Sequence, residues 1–327
     1  MKNTYEQVGL QAIAVNVLRP APAHLMTAYE AAEAVVDMSA SVAVARHLAL
    51  DVESPARRLS LFLNPSGTDL VLLAEPQDRA VRLDHLEMEY YRALVRQPTL
   101  EHHLFKRGQP IRYSHGCRDV SVQLPQDQVA LHAAIGARAV RTAVAESGSR
   151  IKIWRAQPDL TVIAHEIEVF PYVEMRVGSW TVAVSQQLLR EISKQRQERL
   201  PNETGGVLVG VFDTQHRRLY IVDHISSPTD SQEWPTAYYR GVEGVPEELT
   251  RISECTGRQV VYVGEWHSHP DRCSVRPSED DKELFAYLQH ERLTDGLPAV
   301  MAIAGEHGTT GWYVADIAAG AEHRLPI

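Results

Sequence analysis

The sequence predicts an α/β fold made of two successive units. Short apolar runs of strand length alternate with amphipathic or alanine-rich segments of helical length, the pattern of a sheet covered by helices. A length of 327 residues predicts about two domains, at roughly 150 residues each. A hydrophobic content of 44% beside 23% charged residues is typical of a globular protein with buried cores. We expect the first unit at residues 1–146, a connector at 147–174 and the second unit at 175–327.

The first unit is expected to contain strand–helix pairs of an open sheet, in which ligands bind where strands end. The run at 35–41 has this form, because a β-branched pair leads into Asp37 and a turn of small residues. The residues from Asn64 to Gly67 give a strong turn signal between two predicted strands. In chain order we expect a strand at 9–18, a helix at 23–34, a second helix ending at His47, strands at 59–63 and 69–74, and helices at 84–95 and 128–145.

The second unit shows the same alternation. Its first helix, at 186–198, has aliphatic residues on one face and charged residues outside. A polar insertion at 226–245 carries Trp234, Tyr238 and Tyr239, which either dock a protein substrate or pack under their own loop. We expect strands at 151–154 and 160–164 in the connector, then strands at 180–184, 206–212 and 218–222, a helix at 246–256, a strand at 259–263, a helix at 278–292, and strands at 299–304 and 310–314.

Two histidines and an acidic helix start form a candidate metal site. His267 and His269 follow an apolar β-branched run, and residues two apart on a strand share a face, so both imidazoles can bind one metal ion. Zinc accepts imidazole nitrogen and carboxylate oxygen, and a catalytic zinc keeps three protein ligands and one open position. Ser278 is a predicted helix N-cap, and the turn after it offers Asp281 as the carboxylate, with Asp280 as the alternative.

This array resembles the signature of the JAMM (MPN-plus, JAB-type) zinc metalloproteases, which remove ubiquitin and ubiquitin-like proteins from their conjugates. The resemblance implies that His267, His269 and Asp281 bind one catalytic Zn²⁺. It implies that Ser278 supports the tetrahedral intermediate and that Glu203, in an Asn-Glu-Thr-Gly-Gly stretch, is the general acid/base. It also implies a JAB/MPN α/β domain with a central sheet flanked by helices.

The same resemblance indicates the substrate and partners. The expected activity is deubiquitinase-like, cutting the bond after the C-terminal glycine of a ubiquitin-like protein, in a precursor or a conjugate. A bacterial modification or anti-phage system is the expected setting, with an activating or conjugating enzyme as a further partner. The loop before the helix has eight residues, one more than the family pattern, so the choice between Asp280 and Asp281 stays open.

The first unit resembles the second half of the ThiF/MoeB-type ubiquitin-activating adenylyltransferases, and more closely bacterial proteins in which such a domain is fused to a JAMM domain. The stretches at 36–41, 61–70 and 116–119 carry the resemblance, which implies an incomplete Rossmann-like half. No G-x-G-x-x-G loop is present to hold ATP phosphates, and Ala40 stands where the family has a magnesium-binding acid. We therefore expect no adenylation, and a role in holding the ubiquitin-like protein or an activating enzyme.

Cysteine use and charge narrow the remaining possibilities. Cys117 is either a thioester-forming cysteine, with basic neighbours that lower its pKa, or a small buried group in a loop; the second interpretation is favoured. With Cys255 and Cys273 it makes three scattered cysteines, too few for a disulfide framework. A net charge of −9 argues against nucleic acid or an anionic membrane as the main partner. The sequence has neither a signal-peptide pattern nor a spanning apolar run, so a cytoplasmic location is expected.

Two other functions share parts of the pattern. A zinc deaminase requires His-x-Glu and Pro-Cys-x-x-Cys signatures, and neither occurs. A non-catalytic binding module would hold a structural zinc closed by four protein ligands, and Cys273 is near enough in sequence to be the fourth. Glu265, two residues before His267, either shares the face of the histidines or orients one imidazole.

Overall fold

The computed structural model describes residues 9, 11–104, 124–159 and 161–315, and it confirms the predicted α/β class. The first unit is a five-stranded sheet with helices on both faces. Its strands are β1 (Ala34–Asp37), β2 (Arg57–Leu63), β3 (Asp69–Ala74), β4 (Arg150–Ala156) and β5 (Val162–Ile167), and its helices are α1 (Ala23–Ala31), α2 (Val42–Leu50), α3 (Leu83–Arg96) and α4 (Gln126–Ala145). The strands follow one another across the sheet in chain order. Only β1 and β2, joined by α2, are parallel.

Two expectations for this part of the chain are wrong. The described residues of the run at 9–18 form no strand; Ile13 instead packs against a small cluster with Leu25 and Leu48. The two strands placed in the connector exist as β4 and β5, but they extend the first sheet. They do so because Ile151 and Ile153 of β4 face the apolar core that α3 also enters, while β3 supplies the antiparallel hydrogen bonds.

The second unit is a seven-stranded mixed sheet. Its strands are β6 (Tyr172–Val177), β7 (Trp180–Ser185), β8 (Gly205–Asp213), β9 (Arg218–Ser226), β12 (Val261–Ser268), β13 (Ala299–Ala304) and β14 (Thr310–Ala315), and its helices are α5 (Gln186–Arg199), α6 (Val245–Cys255) and α7 (Glu279–Leu293). The polar insertion forms a separate hairpin of β10 (Gln232–Trp234) and β11 (Ala237–Tyr239). Across the sheet the order is β14-β13-β12-β8-β9-β7-β6. The pairs β7–β9 and β12–β13 are parallel.

Helix α3 lies between the two sheets and is buried along nearly its whole length. Its apolar side chains share one core with strands of both sheets and with α6. The helix also carries charged residues, and each needs a partner once removed from water. Tyr220 of β9 donates a hydrogen bond to Asp84 at 2.8 Å, and Arg92 reaches Glu191 of α5 at 2.7 Å. The units are therefore joined by an apolar core with polar pairs around it.

The strand order brings two distant parts of the chain to one sheet edge. Strand β12 runs antiparallel to β8, so its last residues lie beside the first residues of β8, with His267 opposite Gly205. Helix α7 is the crossover between the parallel strands β12 and β13, and it begins near the same edge. The end of β12, the approach to β8 and the start of α7 therefore converge.

Candidate metal centre

Strand β12 carries the two histidines to the sheet edge. His267 is its penultimate residue, and His269 follows the strand but still donates its backbone N–H to Ala304 of β13 at 2.9 Å. Both side chains are buried. In the segment that precedes them, Val260 lies in one hydrophobic core and Val263 and Trp266 lie in another. The two histidines follow where the strand reaches the edge of these cores.

Asp281 enters the same space from the first turn of α7. Ser278 caps this helix: its Oγ accepts a hydrogen bond from the Asp281 N–H at 3.1 Å. The Asp281 carboxylate accepts one from the Ser278 N–H at 2.7 Å, which completes a capping box. The cap therefore fixes both the start of the helix and the direction of the carboxylate.

The three side chains meet at distances suited to a shared ion. Nε2 of His267 lies 3.0 Å from Oδ1 of Asp281, Nε2 of His269 lies 3.3 Å from Oδ2, and the two Nε2 atoms are 3.3 Å apart. Tetrahedral zinc with bonds of about 2.0–2.1 Å separates its ligands by roughly 3.3–3.4 Å. Nδ1 of His269 donates a hydrogen bond to the Ser274 carbonyl at 2.6 Å, and in this tautomer the Nε2 lone pair is available to a metal ion. The donor set fits zinc.

The three side chains shift one another's pKa values. Burial alone would raise the pKa of Asp281, but hydrogen bonds with His267 and His269, and the positive charge of His267, hold that pKa well below its ordinary value. Burial alone would lower the pKa of His269, but its bonds to Asp281 and to the Ser274 carbonyl hold it above its ordinary value. Metal binding requires neutral histidines and an ionised carboxylate, so a metal ion would compete with protons for these groups.

Glu203 lies just before β8, close enough to the three side chains to respond to their charges. Burial raises the pKa of Glu203, the two histidines oppose that rise and Asp281 adds to it. Among the described residues, the group with ligand atoms within 4.8 Å of one another at this place consists of His267, His269 and Asp281. Glu203 is not a member of that group.

Ser268 and Thr204 hold the segment that contains Glu203 against β12, and neither residue was predicted from the sequence to have this role. Ser268 stands between the two histidines, so its fully buried side chain points to the opposite face of the strand. Its Oγ accepts from the Thr204 N–H at 3.0 Å, and its own N–H donates to the Thr204 carbonyl at 2.7 Å. The alternation of a strand is the signal that could have identified Ser268.

The loop at 270–277 is tied down by further contacts that the sequence did not reveal. Arg196 of α5 donates from Nε to the His269 carbonyl at 2.8 Å and from its terminal nitrogen to Asp271 at 2.7 Å. The Tyr313 hydroxyl donates to the Val275 carbonyl at 2.7 Å. These bonds set the path of the chain between the second histidine and the helix cap.

Several residues singled out in the sequence lie outside the donor set. Glu265 accepts from the Tyr262 hydroxyl at 3.0 Å and pairs with Arg240 at 2.8 Å, so its carboxylate is directed away from the imidazoles. Cys273 is exposed and does not belong to the group, which removes the support for a fourth cysteine ligand. Asp280 is exposed on α7. Cys117 lies outside the described residues.

The hairpin of the insertion divides its aromatic residues. Tyr238 is half-buried against the start of β8, where a Cβ on Gly205 would collide with its ring. Trp234 and Tyr239 are 46% and 61% exposed and meet edge to face, with ring centroids 5.8 Å apart. One aromatic residue therefore packs the hairpin, and the other two face solvent.

Two more groups of acids and histidines lie between the units, and arginines occupy both. Asp84, His85 and Glu174 form the first group, and Arg82 bonds Glu174 at 2.6 Å. The second group, of Glu191, Asp223 and His224, is held by hydrogen bonds from Arg92 and Arg96. Guanidinium groups already neutralise these carboxylates, so the two groups are ion-pair networks of the interface.

The fold and these side chains define a class: an α/β protein with three metal-type donors and a separate carboxylate at one sheet edge. The family described as prokaryotic homologs of the JAB domain matches residues 185–315. A CD-NTase/cGAS isopeptidase of Enterobacter hormaechei subsp. hoffmannii (strain UCI 50) is 32% identical over 126 residues, which are 38% of this chain and 68% of that protein. The chain belongs to this JAB family.

Other comparisons give shorter or more distant matches. A CD-NTase/cGAS isopeptidase of Escherichia coli (strain TW11681) is 29% identical over 91 residues, 28% of this chain and 56% of that protein. A solution structure from Desulfitobacterium hafniense is 22% identical with a TM-score of 0.30, covering 41% of this chain and 84% of its own. A JAB1/MPN domain crystal structure from Archaeoglobus fulgidus is 21% identical with a TM-score of 0.25, covering 40% and 87%. Scores this low carry no argument. None of the described helices meets the length and apolarity needed to span a bilayer.

Proposed function

We propose that the chain is a zinc-dependent isopeptidase that cleaves after the C-terminal glycine of a ubiquitin-like protein, in precursor processing or deconjugation. One observation carries the proposal: His267, His269 and Asp281 present their donor atoms 3.0–3.3 Å apart, while Glu203 lies beside them and outside the set. Family membership and the isopeptidase names of the two relatives support the reaction class.

In this proposal the two histidines and Asp281 would hold the zinc ion. Zinc held there would supply Lewis-acid chemistry that makes water a nucleophile at neutral pH. Glu203 would take a proton from the attacking water on its carboxylate and pass it to the leaving amine. The Ser278 Oγ accepts from the Asp281 N–H, and its own hydroxyl proton is available to the oxyanion.

We also propose the division of labour that the sequence suggested. The part at 175–327 would be the peptidase. The part expected at 1–146, whose sheet is completed by β4 and β5, would be a ThiF-like half that holds the ubiquitin-like protein or its activating enzyme. The single parallel pair β1–β2 and its crossover α2 support this interpretation as far as they extend.

The test is cleavage of a ubiquitin-like protein with a C-terminal extension, followed by mass spectrometry. A second substrate, a CD-NTase carrying that protein on a lysine, is chosen from the names of the relatives. We expect cleavage directly after the terminal glycine, loss of cleavage with a zinc chelator, and recovery on adding zinc. Glu203→Gln should keep one zinc per chain and lose about a hundredfold to ten-thousandfold in rate, the usual worth of a general base.

Neighbouring acids provide a matched control. Asp281→Asn should lose zinc, measured by atomic absorption, together with activity. Asp280→Asn changes the adjacent exposed carboxylate and should keep both. Zinc loss in the Asp280 variant alone would contradict the assignment of the third ligand. Absence of cleavage by the wild-type protein, with zinc bound, would replace the enzyme with a binding module.

A further inference from the structure

The segment that carries Glu203 is held on two sides. On the inner side, the Thr204 backbone makes two hydrogen bonds with Ser268 of β12, at 3.0 and 2.7 Å. On the outer side stands the hairpin of β10 and β11. The Glu203 N–H donates to the Trp234 carbonyl at 2.8 Å. The position of the proposed base therefore depends on both the sheet and the hairpin.

A side-chain bond strengthens the outer contact. Thr204 is 2% exposed, and its hydroxyl donates to Oε1 of Glu233 at 2.7 Å. A hydroxyl buried this deeply costs free energy unless it is bonded, and a bond to a carboxylate is among the stronger kinds. Glu233 also lies 3.7 Å from Arg199 at the end of α5, although that arginine is largely exposed. The carboxylate of Glu233 is thus the main anchor of the Thr204 side chain.

The hairpin itself is fixed at its other strand. Arg240, next to the end of β11, pairs with the buried carboxylate of Glu265 on β12 at 2.8 Å. Tyr238 of β11 packs where Gly205 leaves no room for a side chain. A hairpin held at both strands can serve as a rigid support for the chain that it bonds.

From these contacts we propose that Thr204 and Glu233 are a positioning pair for Glu203. The inference rests on the proposed function, because it takes Glu203 as the general base. A base must stand within about 2.6–3.2 Å of the proton that it takes, and a misplacement of about 1 Å can cost about a hundredfold in rate. The pair touches no substrate; it holds Thr204, the residue directly after Glu203, to the hairpin whose Trp234 carbonyl accepts the Glu203 N–H.

Steady-state cleavage kinetics on the full chain test the pair. Thr204→Val is isosteric and removes only the hydroxyl; kcat should fall about tenfold to a hundredfold with KM changed less than about threefold, zinc content unchanged and the fold retained. Thr204→Ser restores the hydroxyl and should recover kcat to within about threefold. Thr229→Val removes a similar bond in the same insertion, the one to Glu243 at 2.6 Å, and should leave kcat unchanged.

A double-mutant cycle makes the test specific. Glu233→Ala should lower kcat as Thr204→Val does, and the double variant should be no slower than the worse single variant, because both remove one link. Multiplicative losses, or an unchanged kcat in Thr204→Val, would overturn the proposal.

Hydrogen exchange measures the pair independently of activity. In Thr204→Val the amide of Glu203 should exchange about tenfold faster than in the wild type, with no change in Thr229→Val. Faster exchange in Thr204→Val would support the pair as a structural link even if the wild-type protein cleaved nothing. Absence of cleavage would then count against the proposed function only. Unchanged exchange at Glu203 would refute the pair whatever the cleavage assay showed.

Discussion

A substitution of Arg196 tests how His269 and the loop at 270–277 are held in place. The Arg196 side chain is 3% exposed, and it holds two partners in very different surroundings. The His269 carbonyl, 2.8 Å from Nε, belongs to a buried residue, whereas Asp271, 2.7 Å from the terminal nitrogen, is 60% exposed. The substitution Arg196→Met keeps the apolar stem and removes both bonds.

The expected cost comes mainly from the buried carbonyl. Losing a charged donor there should cost about 1.5–3 kcal/mol, because water does not readily replace it. The exposed pair with Asp271 is worth at most about 1 kcal/mol. At about 2.1 cal/mol/K per residue, 327 residues have an unfolding entropy of about 0.7 kcal/mol/K, so each kcal/mol lowers the melting temperature by about 1.5 °C. Arg196→Met should therefore melt about 2–6 °C below the wild type.

Thermal unfolding followed by circular dichroism measures this cost, and zinc titration measures its effect on the site. Groups that orient a ligand usually change metal affinity about tenfold to a hundredfold, and we expect a loss in that range because the backbone of His269 is released. Asp271→Asn is the control and should melt within about 2 °C of the wild type. The reasoning is refuted if Arg196→Met melts like the wild type, or if both variants lose the same stability.

Three further outcomes follow from buried groups elsewhere. Burial alone would raise the pKa of Asp69, but bonds from its histidine and arginine partners lower it from 3.8 to about 2. The carboxylate therefore stabilises the fold above pH 4 and loses that effect near pH 2, so Asp69→Asn should cost about 2 kcal/mol in urea unfolding at pH 7, and less at pH 3. Burial raises the pKa of Glu89 from 4.5 to about 7, so the folded state keeps a proton that the unfolded state releases, and the fold loses stability as the pH rises from about 4.5 to about 7. Glu89→Gln should gain up to about 3 kcal/mol more at pH 8 than at pH 5, and an equal gain at both would contradict the assignment. Gly206→Ala places a Cβ against the Ile225 carbonyl, a backbone atom that cannot rotate away, and should destabilise by about 1–3 kcal/mol or abolish soluble expression.

Most elements of the second unit could be predicted because each has a characteristic pattern of apolar and polar residues within its own short stretch of sequence. The helix at 186–198 and the strands on either side of the metal site appear with ends shifted by a few residues. The three candidate donors could be predicted to lie together for the same reason, because the His267–His269 spacing and the cap at Ser278 are short-range signals. In the first unit, the boundary expected at residue 146 separated β4 and β5 from the sheet they complete, since strand pairing across that distance leaves no local trace.

The supporting contacts could not be predicted, because they join residues far apart in the chain. Arg196 reads as the last turn of an amphipathic helix, and only the fold shows that it is buried beside the second histidine. The charged residues of helix α3 are typical of a surface helix, but this helix lies between two sheets. Its charged side chains bond to residues of α5 and β9. The aromatic residues of the insertion have no periodic pattern that separates Tyr238, which packs, from the exposed Trp234.

The choice between Asp280 and Asp281 shows why the extra residue in the loop does not disturb the donor set. In a helix capped by Ser278, the residue three positions later turns back to the cap N–H, and here its carboxylate reaches both imidazoles on the way. Asp280 stands one residue earlier, about 100° around the helix axis, and cannot make that bond. The carboxylate that lies beside the histidines is therefore selected by its spacing from the cap and not by its distance along the chain from the histidines. Bonds from Arg196 and Tyr313 to the segment between the second histidine and the cap fix the path of that segment.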